Sequence, residues 1–446
     1  MKKLDVDMLS GPILKNLIIF AIPVLISYIF QQLYNTVDTA IVGNTLGTDS
    51  LAAVGSVNSV YDLLVGFALG IGNGLSIVAA RAFGSKDEIL LKKAVAGSLV
   101  IGAVSSVALT AIAAAGLRPL LVLINVPEHL MEEAYGYIFT ISICLVVMFA
   151  YNLFAGLLRA IGNSFMPLVF LVFSSLLNII LDLLLIQVFH MGVTGAAVAT
   201  VIAQGISAVL CIIYIFRRTR PLVPQREHFA IDKELYMDLM GQGFSMAFMG
   251  AIVNSGSVIL QSGINGLNDA YIIAAHTAAR KLYMFFNMPF VSIAIAVSTF
   301  VSQNTGAKQP ERIRKCMKET YLFNILCALV MTVLMFAVAE PLVKLIAGTD
   351  NETVLKNGAL YLKVVAPNYA VLGILMETRY ALQGIGKKLI PLISSIIEFC
   401  GKIVFVAVFI PMYQYIAVIF CEPAIWIIMT VQLIFSFWRD PFIRNH

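Results

Sequence analysis

The chain has 446 residues, 60% of them hydrophobic and only 12% charged, with a net charge of +5 and a mean hydropathy of +0.90. A soluble domain carries about 25% charged residues, so the composition excludes one and requires a chain that crosses the bilayer repeatedly. The apolar stretches do not alternate at period two, which excludes a membrane β-barrel, and the basic residues lie in loops, which argues against a nucleic-acid partner.

Apolar stretches of about 18 residues or more mark membrane helices. In chain order they predict about twelve, at 14–43, 52–80, 93–116, 131–157, 167–189, 194–216, 242–265, 271–300, 317–339, 355–381, 389–411 and 414–437. The first contains Pro23, a kink and hinge. It has no small-residue cleavage site at signal-peptide distance and is read as mature structure. The second sets Gly66, Gly70 and Gly74 on one face for close packing. The fifth contains LLNIILDLLLI, whose only polar residues are Asn178 and Asp182. The eighth is interrupted by Pro289. The six cysteines form no CxxC pair and sit mostly in apolar runs, as small buried hydrophobes do. No P-loop lysine and no HExxH spacing is present, so neither an ATPase nor a zinc enzyme is expected.

Lysine and arginine set the orientation. Of the 30, 22 fall in the loops at 1–15, 81–93, 156–166, 217–241, 301–318, 382–388 and 438–446. The opposite loops hold Arg118, Lys344, Lys356 and Lys363. The positive-inside rule places both termini in the cytoplasm. The polar segment 217–241 reads as a cytoplasmic linker. It separates an N-terminal six-helix lobe, 1–216, from a C-terminal one, 242–437, followed by a cytoplasmic tail, 438–446.

The two lobes repeat one another. Gly84 matches Gly306 at a shift of 222 residues, as do Ala52-Ala53 with Ala274-Ala275 and RPLLVLI (118–124) with EPLVKLI (340–346). LRAIGNSFMP (158–167) matches LQGIGKKLIP (382–391) at a shift of 224. Six helices per lobe make the repeat parallel, an arrangement of transporters in which two bundles rock about a shared cavity. The fold is therefore an all-α polytopic membrane protein of two pseudo-symmetric six-helix bundles.

Polar residues inside the spans share faces. Gln31, Tyr34, Asn35 and Asp38 lie at i, i+3, i+4 and i+7 of the first helix. Ser175, Asn178 and Asp182 lie on one face of the fifth, Thr200 and Gln204 on one face of the sixth. Tyr137 and Asn152 belong to the fourth. Exposing these faces to lipid is costly, so they converge inside the N-terminal bundle. Two carboxylates ringed by amide, hydroxyl and phenol oxygens form a hard-oxygen site able to hold a cation or protons. The C-terminal half instead carries Arg280, Lys281, Glu377, Arg379, Glu398, Lys402 and Glu422, with Asn178 matched by Lys402 and Ser174 by Glu398. Glu398 and Lys402, at i and i+4, are placed to pair. These residues read equally as a structural charge network or as a substrate or ion site.

These motifs together resemble the multidrug and toxic compound extrusion (MATE) family, over essentially the whole chain. MLSGPILKNLIIFAIP resembles the family's opening, VDTAIVG (37–43) its first-helix acid motif, and LRAIGNSFMP and LQGIGKKLIP its repeated loop signature. NIILD (178–182) and GAAVAT (195–200) resemble its fifth and sixth helices. The resemblance implies two lobes set in a V and a cation site at Asp38, Asn178, Asp182 and Thr200. Tyr34, Tyr137 and Asn152 fall beside that site, with Gln31, Asn35, Ser175 and Gln204 as further neighbours. It also implies that the first helix bends at Pro23. One branch of the family places additional acids in the seventh and tenth helices; the seventh here has none and Glu377 of the tenth lies about a turn from the matching place, so a second cation site of that kind is not expected.

The function expected is efflux of lipophilic, often cationic, drugs by antiport against Na+ or H+. No enzyme activity, no cofactor, and no metal beyond Na+ at the coupling site is expected. The chain is taken to act as a monomer in the plasma membrane. A lipid-linked precursor flippase of related fold, which wants a basic central cavity, is the alternative, with Arg280 and Lys281 in its favour. A membrane-embedded transferase is the more distant one.

Overall fold

The computed structural model of the chain describes residues 5–444. Residues 1–4 and 445–446 of the expected cytoplasmic ends lie outside that range. The described residues are almost wholly helical. In order they form α1 (Ile13–Leu46), α2 (Thr48–Ser56), α3 (Asn58–Gly84), α4 (Glu88–Leu123), α5 (Met131–Ile143), α6 (Leu145–Ala160), α7 (Phe165–Leu183) and α8 (Gly192–Arg218). Then come α9 (Lys233–Asn265), α10 (Ala270–Gly306), α11 (Pro310–Ala347), α12 (Glu352–Val365), α13 (Tyr369–Gly384), α14 (Leu389–Val404), α15 (Ile410–Tyr413), α16 (Tyr415–Trp438) and α17 (Pro441–Arg444).

Eleven stretches among the described residues are long and apolar enough to span a bilayer, and α5 with α6, bent by 48°, makes a twelfth. That break lies at Cys144, where no proline announces it. Thr110 Oγ1 of α4 donates to the Ser142 carbonyl there at 3.1 Å, which satisfies backbone that an interrupted helix leaves open. The equivalent break between α12 and α13, at Ala366–Asn368, contains Pro367. Helix α9 starts at Lys233, ahead of the apolar stretch predicted at 242. Asp232 accepts from the Leu235 amide at 3.3 Å and opens the helix in polar sequence, which hydropathy does not register.

Two compact units divide the chain. One comprises the residues up to Asp7 and Ile22–Ala251; the other comprises Met8–Ala21 and the residues from Ile252 on. In the first, α3 packs on α9 through glycine. A Cβ on Gly74 would stand 2.4 Å from the Gln242 carbonyl, and one on Gly70 2.5 Å from the Ala247 Cα. Helix α7 shows how an apolar sequence hides polar groups: Leu176 and Ile180 are exposed toward the lipid phase while Asn178 and Asp182 are buried.

The loop signature has a geometric cause. Gly162 (φ +94°) and Gly386 (φ +90°) each end a helix in the left-handed region. The Gly162 and Asn163 amides donate to the Arg159 and Leu158 carbonyls; the Gly386 and Lys387 amides donate to Gln383 and Leu382. Both are glycine-closed C-caps that satisfy the last free carbonyls. Gly162 also receives the N-terminal segment: Val6 donates its amide to the Gly162 carbonyl at 3.0 Å, and Asn163 Nδ2 donates to Asp5 Oδ1 at 2.7 Å.

Substituting Gly162→Ala forces a side chain into this φ and within 2.3 Å of the Val6 carbonyl. It is expected to cost ~1–3 kcal/mol and to lower the melting temperature in detergent. Gly116→Ala, where nothing stands within 4 Å, is expected to be neutral or slightly stabilising. At the same turn, burial raises the Asp5 carboxyl above the ordinary carboxylate range, against the Asn163 amide that donates to it. The folded state therefore holds this proton more tightly than the unfolded state, and the contribution favours folding at low pH and fades as pH rises through the raised value. Asp5→Asn keeps the acceptor for Asn163 and is expected to flatten that part of the melting temperature's pH profile.

Candidate functional site

The first unit gathers the polar faces of α1, α7 and α8. Asp182 is fully buried, and Asn178 and Thr200 nearly so. Asn178 sits between them. With its amide nitrogen toward Thr200 it makes one long contact, 3.4 Å to Oγ1, and turns its oxygen toward a carboxylate. The opposite orientation satisfies both ends: the nitrogen donates to Asp182 Oδ2 at 3.2 Å and the oxygen accepts from the Thr200 amide at 3.2 Å. The second is the chemically consistent one, since an amide oxygen facing a carboxylate oxygen joins two acceptors.

Asp38, on α1, is within hydrogen-bond reach of Asp182. Two carboxyl groups this close resist being charged together, because two bare charges ~4 Å apart repel by about 4 kcal/mol even at an effective dielectric of about 20. One oxygen of each, Oδ1, is buried without a hydrogen-bond partner. No lysine or arginine among the described residues forms an ion pair with either acid. Tyr34 hydrogen-bonds the Thr200 side chain, and Tyr61 and Tyr137 stand beside the acids.

A cavity of about 40 Å³ adjoins this cluster, lined by Gln31, Tyr34, Asn152, Ser175, Asn178, Thr200 and Gln204 among others. It has room for an ion or a few waters and none for a drug-sized molecule, which takes ~300–1,000 Å³. The Gln204 Oε1 is buried there without a partner. Asn35 is exposed and off the cavity wall. Tyr61 is the residue that sequence reasoning missed. Its signal was the repeat: Tyr61 recurs as Tyr283 at the shift of 222.

The second unit holds a different cluster. Arg280 Nη1 donates to Glu422 Oε2 at 2.5 Å, and Tyr361 stands 3.4 Å from the same oxygen. Lys402 Nζ donates to Glu398 Oε1 at 2.9 Å and lies 3.8 Å from Glu422 Oε1. Arg379 Nη2 lies 3.8 Å from Glu398 Oε2, and its Nε donates to Ser394 Oγ at 3.0 Å. Thus Arg280, Arg379, Glu398, Lys402 and Glu422 join one network. Lys281 is exposed and outside it. Glu377 is separate too. It is fully buried, with the Thr320 and Asn324 side chains beside its carboxyl group.

The MatE family model matches residues 23–184 and again 245–408, once in each half of the repeat. The probable multidrug resistance protein YoeA of Bacillus subtilis is 28% identical over 396 residues, covering 87% of this chain and 84% of that protein. The FAD transporter of Shewanella oneidensis is 25% identical over 404 residues, 88% of this chain and 86% of its own. A solved multidrug resistance MATE family transporter of the MOP superfamily, in an outward-facing conformation, superposes with a TM-score of 0.90 at 21% identity over 100% of both chains. With its family model matched twice along the repeat, this multi-pass membrane protein belongs to the MatE family of multidrug efflux transporters.

Proposed function

We propose that the chain exports lipophilic, often cationic, compounds by antiport against Na+ or H+ held between Asp38 and Asp182. The observation that carries this reading is the contact of the buried Asp182 with the half-buried Asp38, neither paired with a base among the described residues. Such a pair is stable only when a proton or a cation joins it. Asp38 belongs to α1 and Asp182 to α7, so movement of α1 separates them and removes the site. The ion thereby binds one arrangement of α1 better than the other, which is the condition for an ion to drive a conformational change. Asn178, Thr200 and Tyr34 orient the acids and supply further oxygens.

Pro23 lies inside α1, one residue past the point where the compact units divide. It lacks an amide hydrogen and cannot support the preceding turn, so we assign it the hinge. The first pocket is sized for the ion, and the cargo binds where a larger space opens during the cycle. Both termini face the cytoplasm in this reading, following the positive charge of the loops, and one chain suffices. Of the two residues that favour the flippase alternative, Arg280 is paired with Glu422 and Lys281 is exposed. The Shewanella relative named as an FAD transporter makes an anionic nucleotide a cargo to include in the assay.

Dye efflux from proteoliposomes, driven separately by a Na+ and a pH gradient, tests the reading. Asp38→Asn and Asp182→Asn are each expected to lower gradient-driven efflux about tenfold or more, equivalent to ~1.4 kcal/mol or more of lost ion coupling. Unimpaired efflux by the folded variants would sink the coupling role. No dye movement by the wild type would sink the drug reading and turn the search to lipid precursors. Pro23→Ala removes a residue that costs a helix interior ~3 kcal/mol; it is expected to raise the melting temperature and to slow efflux. Efflux at the wild-type rate would remove Pro23 from the mechanism.

A further inference from the structure

The repeat allows the two buried clusters to be compared position by position, each within its own unit. The scaffolds agree. Tyr61 corresponds to Tyr283 at the shift of 222, and Tyr137 to Tyr361 at the shift of 224. In each unit these tyrosines border the buried acids. Helices α7 and α14, which carry the key polar residues, each run into a π-turn, at Leu184–Val188 and Phe405–Phe409.

The chemistry differs at the positions that matter most. Asp38 corresponds to Leu260 at the shift of 222 and Asp182 to Val406 at the shift of 224. The second unit has therefore lost both acids of the first pocket. Asn178, whose amide touches Asp182, corresponds to Lys402. Tyr34 corresponds to Gly256, and that glycine makes room for the lysine: a Cβ there would stand 3.1 Å from Lys402 Cδ and 3.8 Å from its Nζ. Ser257 is 3.4 Å from the same ammonium. Lys402 itself is 1% exposed.

Other charged and titratable groups close around it. Glu398 lies on its own helix, Glu422 and Cys421 on α16, Arg379 on α13, Tyr361 on α12, and Arg280 on α10. His276, also on α10, packs edge-on against the Tyr361 and Tyr415 rings. The ion-paired members are three bases and two acids, a surplus of one positive charge. A buried site with that surplus repels a further cation.

We propose that Lys402 is a tethered counter-ion, which occupies in the second unit the place that an exchangeable cation takes in the first and so denies that matched pocket, though not the separate Glu377, to Na+ and H+. The inference rests on the reading of Asp38 and Asp182 as the ion site. In the first unit the counter-ion comes and goes. In the second it is covalently attached, its stem passes over a glycine, and its charge is fixed between two glutamates. Lys402 is thus a specificity-determining residue that confines ion coupling to one of the two matched pockets.

Melting temperatures in detergent, with NaCl against choline chloride and in acidic against alkaline buffer, test it. The wild type is expected to shift by a few degrees with Na+ or, beyond the part owed to Asp5, with pH, and Asp38→Asn/Asp182→Asn to lose that response while Lys402 is intact. Adding Lys402→Asn with Leu260→Asp and Val406→Asp restores both acids and the amide of the first pocket at the matched positions. That chain is expected to regain a Na+-dependent or acid-dependent rise, whereas Lys402→Arg in the same background gains none. A persisting Na+ shift in the double variant with Lys402 intact overturns the proposal, and this arm stands even if the rebuilt chain does not fold. A folded rebuilt chain with neither response overturns it too. If the wild type and the double variant are equally unresponsive, the coupling role of Asp38 and Asp182 fails, and the rebuilt chain still decides the role of Lys402.

Discussion

A charge inside a bilayer must be neutralised by something, and most of this molecule's polar architecture follows from that one constraint. An isolated carboxylate at the bilayer centre costs at least ~2.5 kcal/mol on insertion scales. The chain places four buried acids, Asp182, Glu377, Glu398 and Glu422, and the half-buried Asp38 within its spans. Each group meets the constraint differently. Asp38 and Asp182 are set against one another with oxygens around them. Glu398 and Glu422 are held by Lys402, Arg379 and Arg280. Glu377 stands apart from both clusters, beside Thr320 and Asn324.

These arrangements depend on how the helices are interrupted. The break at Cys144 and the break at Pro367 fall at matched places in the two units, and the π-turns follow the polar residues of α7 and α14. A π-turn adds a residue to a helical turn and is frequent at functional sites. Close approach of backbones through Gly70 and Gly74 fixes α3 against α9 in the first unit. The result is a rigid scaffold on which a few side chains decide the chemistry.

Much of this is legible in the sequence, for physical reasons. A residue such as Asp182 among leucines is conspicuous because the bilayer tolerates so few polar groups, and helical spacing assigns Asn178 to the same face. The loop signature is legible because a left-handed C-cap demands glycine at 162 and at 386. Other features are not. The kink at Cys144 has no proline to mark it, and its stability comes from Thr110, a residue 34 positions earlier in the numbering. The start of α9 lies in polar sequence that hydropathy ignores. Glu377, Arg379 and Lys281 look alike as intramembrane charges, yet burial and pairing separate them into an isolated acid, a network member and an exposed cation. Side-chain direction on neighbouring helices decides such cases, and a single sequence does not contain it.

The paired charges of the second unit have an electrical consequence. A membrane potential does work only on charge that moves through it, about 2.3 kcal/mol per elementary charge per 100 mV. The ammonium of Lys402 is covalently held and locked to Glu398 at 2.9 Å, so it travels no farther than its helix. In the mechanism proposed above, this network therefore adds no mobile charge, and voltage acts on the ion at Asp38 and Asp182 and on the charge of the cargo.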